Sequence, residues 1–145
     1  MKIKIRRYLE DDKNFIYSSI KQQLYEHKTS KKSKVNNYHL MEYKDFNDGM
    51  ERILDKIIRK YDVSILCPED AEFQILAYLI HSEIYNSIIY CYTKKLYREN
   101  GLMKKLIDNV FDIPPIYYCF RSRDKNFRKY IEKYAVNYLP FEMLE

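Results

Sequence analysis

Apolar and polar residues alternate with two different periods along this chain, and the periods predict its elements. Residues 2 to 8 alternate with a period of two, which indicates a half-buried strand. The next two segments repeat every three or four residues, as a helix does when one face is buried. The apolar positions of these two helices are Ile16, Ile20 and Leu24, and then Phe46, Met50, Ile53, Leu54 and Ile57. Asp11 and Asp12 are expected to cap the first helix.

Three short apolar runs follow, at residues 63–67, 75–84 and 87 to about 94, and they predict three strands. The breaks between them, Pro68-Glu69-Asp70 and Tyr85-Asn86-Ser87, are short. We therefore expect an antiparallel meander.

The last third of the chain returns to alternating helix and strand signals. A helix from about 102 to 111 is ended by Pro114 and Pro115, and a buried strand is expected at 116–120. Asp124 is expected to cap a last helix, and an extended segment at 137–144 closes the order β-α-α-β-β-β-α-β-α-β. The inner face of that last helix is expected to carry Phe127, Tyr130, Ile131 and Tyr134. The pattern predicts one α/β (α+β) domain over residues 1–145, with a mixed, mostly antiparallel sheet of about six strands and four helices.

Composition excludes several classes of protein. Polar residues interrupt the longest apolar stretch, 73 to 92, so it cannot span a membrane. Cys67, Cys91 and Cys119 are odd in number and lie in apolar runs, which favours core thiols in a reducing compartment over disulfides or a metal site. We expect a cytoplasmic protein without a structural metal.

The net charge of +5 is modest and comes mostly from lysines spread along the chain. A basic run at residues 27–34, the arginines Arg121, Arg123 and Arg128, and the 16 tyrosines would suit nucleic-acid binding. Most tyrosines, however, lie at strand and helix positions that are expected to face the core. Nucleic-acid binding is therefore not the favoured hypothesis.

The segment most informative about chemistry is the junction where the strand ending near Thr93 leads into the helix starting near Leu102. Backbone N–H groups at a helix start have no intrahelical partners and can hold a phosphate. Gly101, one of only two glycines in the chain, stands at this turn. Five cationic residues surround it, namely Lys94, Lys95, Arg98, Lys104 and Lys105. A glycine that only relieves a tight turn beside surface lysines is the alternative interpretation.

This segment resembles the coenzyme-A motif of the GNAT superfamily of N-acetyltransferases, commonly written V-x-P-x-x-R/Q-x-x-G-x-G/A. Arg98 and Gly101 match the motif. Thr93, Lys95 and Met103 stand where the motif has valine, proline and a small residue, and Met103 could crowd a pyrophosphate. The element order over the whole chain also resembles that of GNAT domains, and the chain looks most like small GNAT-like proteins of phages and prophages.

The resemblance implies that acetyl-CoA is the acyl donor. The pantetheine arm would lie between splayed strands at Tyr92 and residues 116–120, pairing with the backbone of Cys91, Tyr92 and Thr93. The pyrophosphate would rest on the turn through Arg98 and the amides of Glu99, Asn100, Gly101, Leu102 and Met103. An amine, on a small molecule or a protein, would attack the thioester directly.

The resemblance also implies a proton donor and a proton acceptor. Many family members place a tyrosine acid in the last helix, but Ile131 stands at that position here. Tyr130 or Tyr134 could substitute, or could belong to the core. Glu83 is the favoured base, and His81 is the second candidate. These departures leave a second hypothesis open, a GNAT-fold interaction protein of a phage or host without catalysis. The sequence indicates neither the acceptor nor the oligomeric state.

Overall fold

The computed structural model of the protein describes residues 1–25, 40–120 and 125–140. Its helices and strands are β1 Ile3–Arg7, α1 Lys13–Tyr25, α2 Tyr43–Lys60, β2 Asp62–Pro68, β3 Ala77–Ser82, β4 Ser87–Thr93, α3 Leu102–Val110, β5 Tyr117–Tyr118, α4 Lys125–Tyr134 and β6 Asn137–Tyr138. This order confirms the predicted one. The basic run at 27–34, Arg121, Arg123 and the expected cap Asp124 lie outside the described residues.

The chain forms two compact units. The sheet unit consists of Met1–Tyr8 and the chain from Tyr61 onward, and the helical unit is Leu9–Lys60. The single domain expected over residues 1–145 stays a prediction from the sequence.

In the helical unit, α1 and α2 are joined by polar and aromatic contacts. The Tyr17 hydroxyl donates to Asp55 Oδ1 at 2.7 Å, and Lys21 pairs with Glu51. The Tyr17 hydrogen bond, and then the nearby Lys13 charge, lower the pKa of Asp55. The Tyr25 and Phe46 rings lie 4.8 Å apart.

Two expectations for this unit were wrong. Ile53 is 41% exposed, because α2 turns its buried stripe to Phe46, Met50, Leu54 and Ile57. Asp12 does not cap α1 from outside but ends a preceding 3-10 turn, Glu10–Asp12, where its Oδ2 accepts the Leu9 N–H at 2.8 Å.

The sheet of six strands runs in chain order from β1 to β6. The pairs β1–β2, β2–β3 and β3–β4 are antiparallel, which confirms the meander, whereas β4–β5 and β5–β6 are parallel. Each parallel pairing follows a helix, as parallel strands require a crossover connection.

The core of the sheet unit lies between the sheet and the helices α3 and α4. Its buried members are Leu66, Leu76, Ala77, Leu79, Ile88, Leu106, Ile107, Phe111 and Phe127. Cys91 packs against this cluster while staying partly exposed, and Cys67 and Cys119 are buried. The packing of α3 on the sheet thereby fixes the position of the loop that connects β4 to this helix.

The last two strands are shorter than predicted. β5 contains two half-buried residues rather than a buried run over 116–120, and Ile116 is 42% exposed. β6 also contains two residues, and residues 141–144 of the expected segment lie outside the described ranges. The apolar pattern overestimated both lengths, because β propensity depends on the neighbouring strands, and β5 pairs with β4 and β6 over two residues each. Among the described residues no helix has the length and apolarity needed to cross a membrane.

Candidate functional site

β4 separates from β5 after two residue pairs. Ser87 pairs with Tyr117 and Ile88 with Tyr118, and the Cys119 N–H donates to the Ile88 carbonyl at 3.0 Å. In the described ranges no further pair joins the two strands toward the carboxyl end of β4. The result is the β4–β5 cleft, which opens after Ile88 and Tyr118.

A β-bulge lies in β4 at the closed end of this cleft. Ile80 pairs with Tyr90 but the next residue, His81, pairs with Ile88, so Ile89 has no partner in the β3 ladder. A bulge interrupts the ladder and re-aims backbone groups, and bulges are over-represented next to active sites. The bulge thus changes the register of β4 at Ile89, next to the point where β4 and β5 separate.

Beyond the bulge, the backbone groups of β4 alternate between β3 and the cleft. The Lys94 N–H donates to the Leu76 carbonyl at 2.9 Å, and the register continues from this pair. In an antiparallel ladder this alternation directs the backbone of Tyr92 toward β3 and that of Cys91 and Thr93 toward the cleft. Two of the three residues predicted to pair with pantetheine thus present their backbone there.

Aromatic rings line the sheet next to the cleft. Tyr92 stacks on Tyr78 at 5.5 Å, and Tyr90 contacts Phe120, in the segment after β5, at 4.9 Å. Burial raises the pKa of Tyr90 far above its usual range, so its hydroxyl stays protonated. The Tyr90–Phe120 contact joins the two strands by their side chains although their backbones have separated.

The β4–α3 turn, residues 94–101, connects the open end of the cleft to α3. A 3-10 turn at Lys95–Tyr97 is followed by two residues with positive φ, Glu99 at 69° and Gly101 at 71°. Gly101 is the N-cap of α3 and provides no side-chain cap. A left-handed residue followed by helical ones arranges successive N–H groups around a concavity that suits an anion. Here these are the N–H groups of Gly101, Leu102 and Met103.

The space in front of Gly101 is open. A Cβ built on this residue would meet no heavy atom within 4 Å beyond its chain neighbours. The positive φ favours glycine, which has no Cβ to strain this conformation, and the open space lets a ligand approach the backbone. Both features match the role that the sequence assigned to Gly101.

Arg98 connects the turn to the end of β4. Its Nε donates to the Thr93 carbonyl at 2.9 Å, and its guanidinium carbon lies 5.7 Å from the centre of the Tyr92 ring. The other guanidinium N–H groups can serve an anion, because arginine carries five donors in all. Lys104, in contrast, pairs with Asp108 at 2.7 Å, and that hydrogen bond raises the pKa of Lys104.

Met103 does not crowd the turn with its side chain, which packs against the hydrophobic core cluster. Its backbone N–H remains at the helix start, where no intrahelical acceptor exists. The departure from the small residue of the motif is thus accommodated by the core.

The two candidate acids, Tyr130 and Tyr134, lie at the other end of α3. Both line a pocket with Asp108, Phe111 and other residues of the helix C-terminus. Burial, and next the nearby Asp108 carboxylate, raise the pKa of Tyr130 to about 12. On α3 the pocket is lined by Ile107 and Asp108, in the second half of the helix, whereas the β4–α3 turn precedes its first residue, Leu102.

The candidate bases lie near the amino end of β4. Glu83 is exposed in the turn between β3 and β4. His81 is 3% exposed, contacts Ser64 Oγ through Nε2 at 3.0 Å, and meets the edge of Phe111. Burial lowers the pKa of His81, opposed by Asp62 and Glu83. The imidazole is therefore neutral at pH 7, and it lies opposite Ile88, next to the bulge.

The sequence analysis missed the bulge. The segment from Ile88 to Tyr92 is apolar or aromatic throughout and does not alternate, so nothing in its pattern marks the bulge. The contact between Arg98 and the Thr93 carbonyl was missed as well, because five residues separate the two and no periodicity marks such a contact.

Comparison with solved structures identifies the fold. A possible acetyltransferase from Clostridium difficile 630 superposes with a TM-score of 0.57 at 18% identity, over 94% of this chain and 91% of that chain. An inferred acetyl transferase from Pyrococcus furiosus gives 0.58 at 8% identity, over 91% of each chain. A predicted acetyltransferase from Clostridium acetobutylicum, solved with acetyl-CoA, gives 0.52 at 16% identity, over 92% and 88%.

No protein-family model matches the sequence, and a search of curated proteins gives no significant match. The structural likeness, in contrast, extends over nearly the whole chain and includes the six-stranded sheet and four helices. The chain therefore has the fold of the GNAT-like acetyltransferases.

Proposed function

We propose that this protein transfers an acetyl group from acetyl-CoA to an amine. The observation that carries the proposal is the continuity of the β4–β5 cleft with the Gly101-capped start of α3. A long ligand with an anionic pyrophosphate at one end and a hydrogen-bonding pantetheine arm matches this arrangement. The fold shared with a structure solved with acetyl-CoA supports the choice of donor.

The residues that would hold the donor are those of the turn and of the cleft edge. The pyrophosphate would accept hydrogen bonds from the N–H groups of Gly101, Leu102 and Met103, and Arg98 would contribute its remaining donors. The pantetheine arm would pair with the backbone of Cys91 and Thr93. Tyr92, Glu99 and Asn100, the other residues expected from the sequence, would border the ligand. The Tyr92 backbone pairs with β3, and Asn100 Nδ2 donates to the Tyr97 carbonyl at 3.2 Å.

The reaction would be a direct displacement. The amine nitrogen forms a bond to the thioester carbonyl carbon, the carbon–sulfur bond breaks, and the sulfur leaves as a thiolate. A backbone N–H at the Ile89 bulge would stabilise the negative charge that develops on the carbonyl oxygen. The attacking nitrogen loses one proton and the thiolate gains one, so the overall reaction needs no further reagent.

We propose that no tyrosine is needed as the acid. A thiol has a pKa near ~8.5, whereas that of Tyr130 is raised to about 12. Proton transfer from Tyr130 to a thiolate is therefore unfavourable, whereas the attacking nitrogen becomes acidic once it has bonded to the carbonyl carbon, and the proton that it loses can pass to the thiolate. For the base, neutral His81 beside the bulge is better placed than exposed Glu83, which a short chain of water molecules would have to connect to the amine.

A binding experiment with acetyl-CoA and with acetyl-pantetheine tests the β4–α3 turn separately from the β4–β5 cleft. We expect acetyl-CoA to bind and to raise the unfolding temperature, since a ligand at a hundredfold its Kd adds about 2.7 kcal/mol to stability. Acetyl-pantetheine, which lacks the pyrophosphate, should bind far more weakly. Equal binding of the two would contradict the assignment of the turn.

Release of free thiol from acetyl-CoA in the presence of a panel of amines then tests catalysis. We expect release that depends on at least one amine. Binding of acetyl-CoA without any amine-dependent release would favour the alternative, an interaction protein with the GNAT fold and no activity. The phage likeness and the cytoplasmic location remain predictions from the sequence.

A further inference from the structure

A second pocket lies at the C-terminal end of α3, whereas the β4–α3 turn lies at the N-terminal end of this helix. It has a volume of about 240 Å³ and is enclosed by the C-terminal half of α3, the loop through Pro114 and Pro115, and α4. None of its lining residues belongs to the β4–β5 cleft or to the β4–α3 turn. It is called the α3–α4 pocket below.

The base and one wall of the α3–α4 pocket are aromatic and apolar. Phe111 is 7% exposed and Ile107 is also buried. The rings of Tyr130 and Tyr134 lie 4.7 Å apart at 46°, and both side chains line the pocket. Neither hydroxyl has a hydrogen-bond partner among the described residues. The pocket therefore offers ring surface and two polar hydroxyl groups.

Two carboxylates line the same pocket, Asp108 in the last turns of α3 and Asp112 in the loop that follows the helix. Asp108 lies close enough to Tyr130 to influence its ionisation. Asp112 is exposed and has no ion-pair partner among the residues that the structure describes. No basic side chain lines the pocket.

Two lysines of the protein already contact groups that line the α3–α4 pocket. Lys104 pairs with Asp108 at 2.7 Å, and Lys133 Nζ lies 5.3 Å from the centre of the Tyr134 ring. These contacts are the two interactions by which proteins hold organic cations, a carboxylate and an aromatic face. The Asp112 carboxylate and the Tyr130 ring are not occupied by either lysine.

We infer that the α3–α4 pocket is a binding site for a small organic ammonium ion. Aromatic faces attract cations electrostatically, and Asp112 supplies a full negative charge at the opening. The volume is somewhat below the range for drug-sized ligands, which suits a compact cation of the size of a quaternary amine. The Asp112 carboxylate favours a cation over an anion in this pocket.

Choline and its uncharged isostere 3,3-dimethylbutan-1-ol are matched probes, because they differ chiefly in the charge. We expect choline, titrated into the purified protein at constant ionic strength, to shift the NMR signals of residues 107–115 and 130–134. The isostere should bind at least twofold more weakly, because a cation–π contact of about 0.5 kcal/mol or more corresponds to that factor. Equal binding of the two probes, or no binding of choline, would overturn the inference.

Single substitutions test the contributions of the Asp112 carboxylate and the Tyr134 ring to binding separately. Asp112→Asn should weaken choline binding about two- to fivefold, as expected for an exposed charge pair, while Asp70→Asn, a matched surface change outside the pocket, should leave it unchanged. Tyr134→Phe keeps the ring and should bind choline, whereas Tyr134→Leu should lose three- to tenfold. Unchanged binding in both Asp112→Asn and Tyr134→Leu would refute the site. The test uses no acetyl-CoA, so its result is independent of the proposed transferase activity.

Discussion

Replacing Gly101 by alanine separates the two roles that the structure gives to this residue. Gly101 has a φ of 71°, and the left-handed region costs a residue with a Cβ roughly 1–2 kcal/mol. No atom lies within 4 Å of the added Cβ, so a clash adds nothing to this cost. Because alanine also restricts the unfolded chain, we expect the free energy of unfolding to fall by about 1 kcal/mol.

The second role concerns the ligand. The added methyl group would enter the open space in front of the Gly101, Leu102 and Met103 amides. We therefore expect Gly101→Ala to bind acetyl-CoA at least tenfold more weakly, a loss of about 1.4 kcal/mol that comes on top of the change in stability.

The other glycine of the chain provides a matched control. Gly49 lies inside α2 without positive φ, and a Cβ there would meet only the end of the flexible Arg52 side chain, at 4.0 Å. In a helix interior, alanine makes the folded state more stable than glycine does, by roughly 0.5–1 kcal/mol. Gly49→Ala should thus stabilise the protein and leave the acetyl-CoA affinity unchanged.

Thermal unfolding with and without acetyl-CoA measures both effects. A change of 1 kcal/mol shifts the midpoint of a chain of this size by about 2–4 °C, so the two variants should move the midpoint of the free protein in opposite directions. A Gly101→Ala variant as stable as the original protein, or one with the full response to acetyl-CoA, would refute the reasoning.

Three further changes test other parts of the structure. Arg98→Met should weaken acetyl-CoA binding at least tenfold, whereas Lys95→Met, at an exposed position of the same turn, should have a clearly smaller effect; equal effects would remove the special role of Arg98. Burial lowers the pKa of His81, so the unfolded state binds a proton first as the pH falls below about 6.5; the original protein should lose stability there more steeply than His81→Gln, and parallel pH profiles in urea denaturation would contradict this. Leu79→Ala, fully buried in the core cluster, should cost about 2–5 kcal/mol in the same assay, while Ile84→Ala, 87% exposed, should change stability by less than about 0.5 kcal/mol.

The sequence predicts the elements well wherever one face is buried. The periods of α2 and of β2 are long enough to identify both elements and most of their inward residues, although Ile53 shows that an apolar residue can flank the stripe and stay exposed. The strands of the C-terminal third are predicted less well, because β5 and β6 contain two residues each and depend on neighbouring strands rather than on their own pattern.

The site is predicted in part for a similar reason. Gly101 and Arg98 are adjacent in sequence to the elements that they connect, so a local motif identifies them. The bulge at Ile89 depends on the register between β3 and β4, and the positions of Tyr130 and His81 depend on how α3 packs. Such long-range packing has no local signature, which is why the acid and the base could not be assigned from the sequence.

The most direct test of the proposed function is an NMR titration of the isotope-labelled protein with acetyl-CoA, following each backbone amide. We expect the largest shifts at Ile89, Cys91 and Thr93 along β4 and at Gly101, Leu102 and Met103 at the start of α3. Absence of binding at millimolar acetyl-CoA, or shifts confined to residues outside the β4–β5 cleft and the β4–α3 turn, would contradict it.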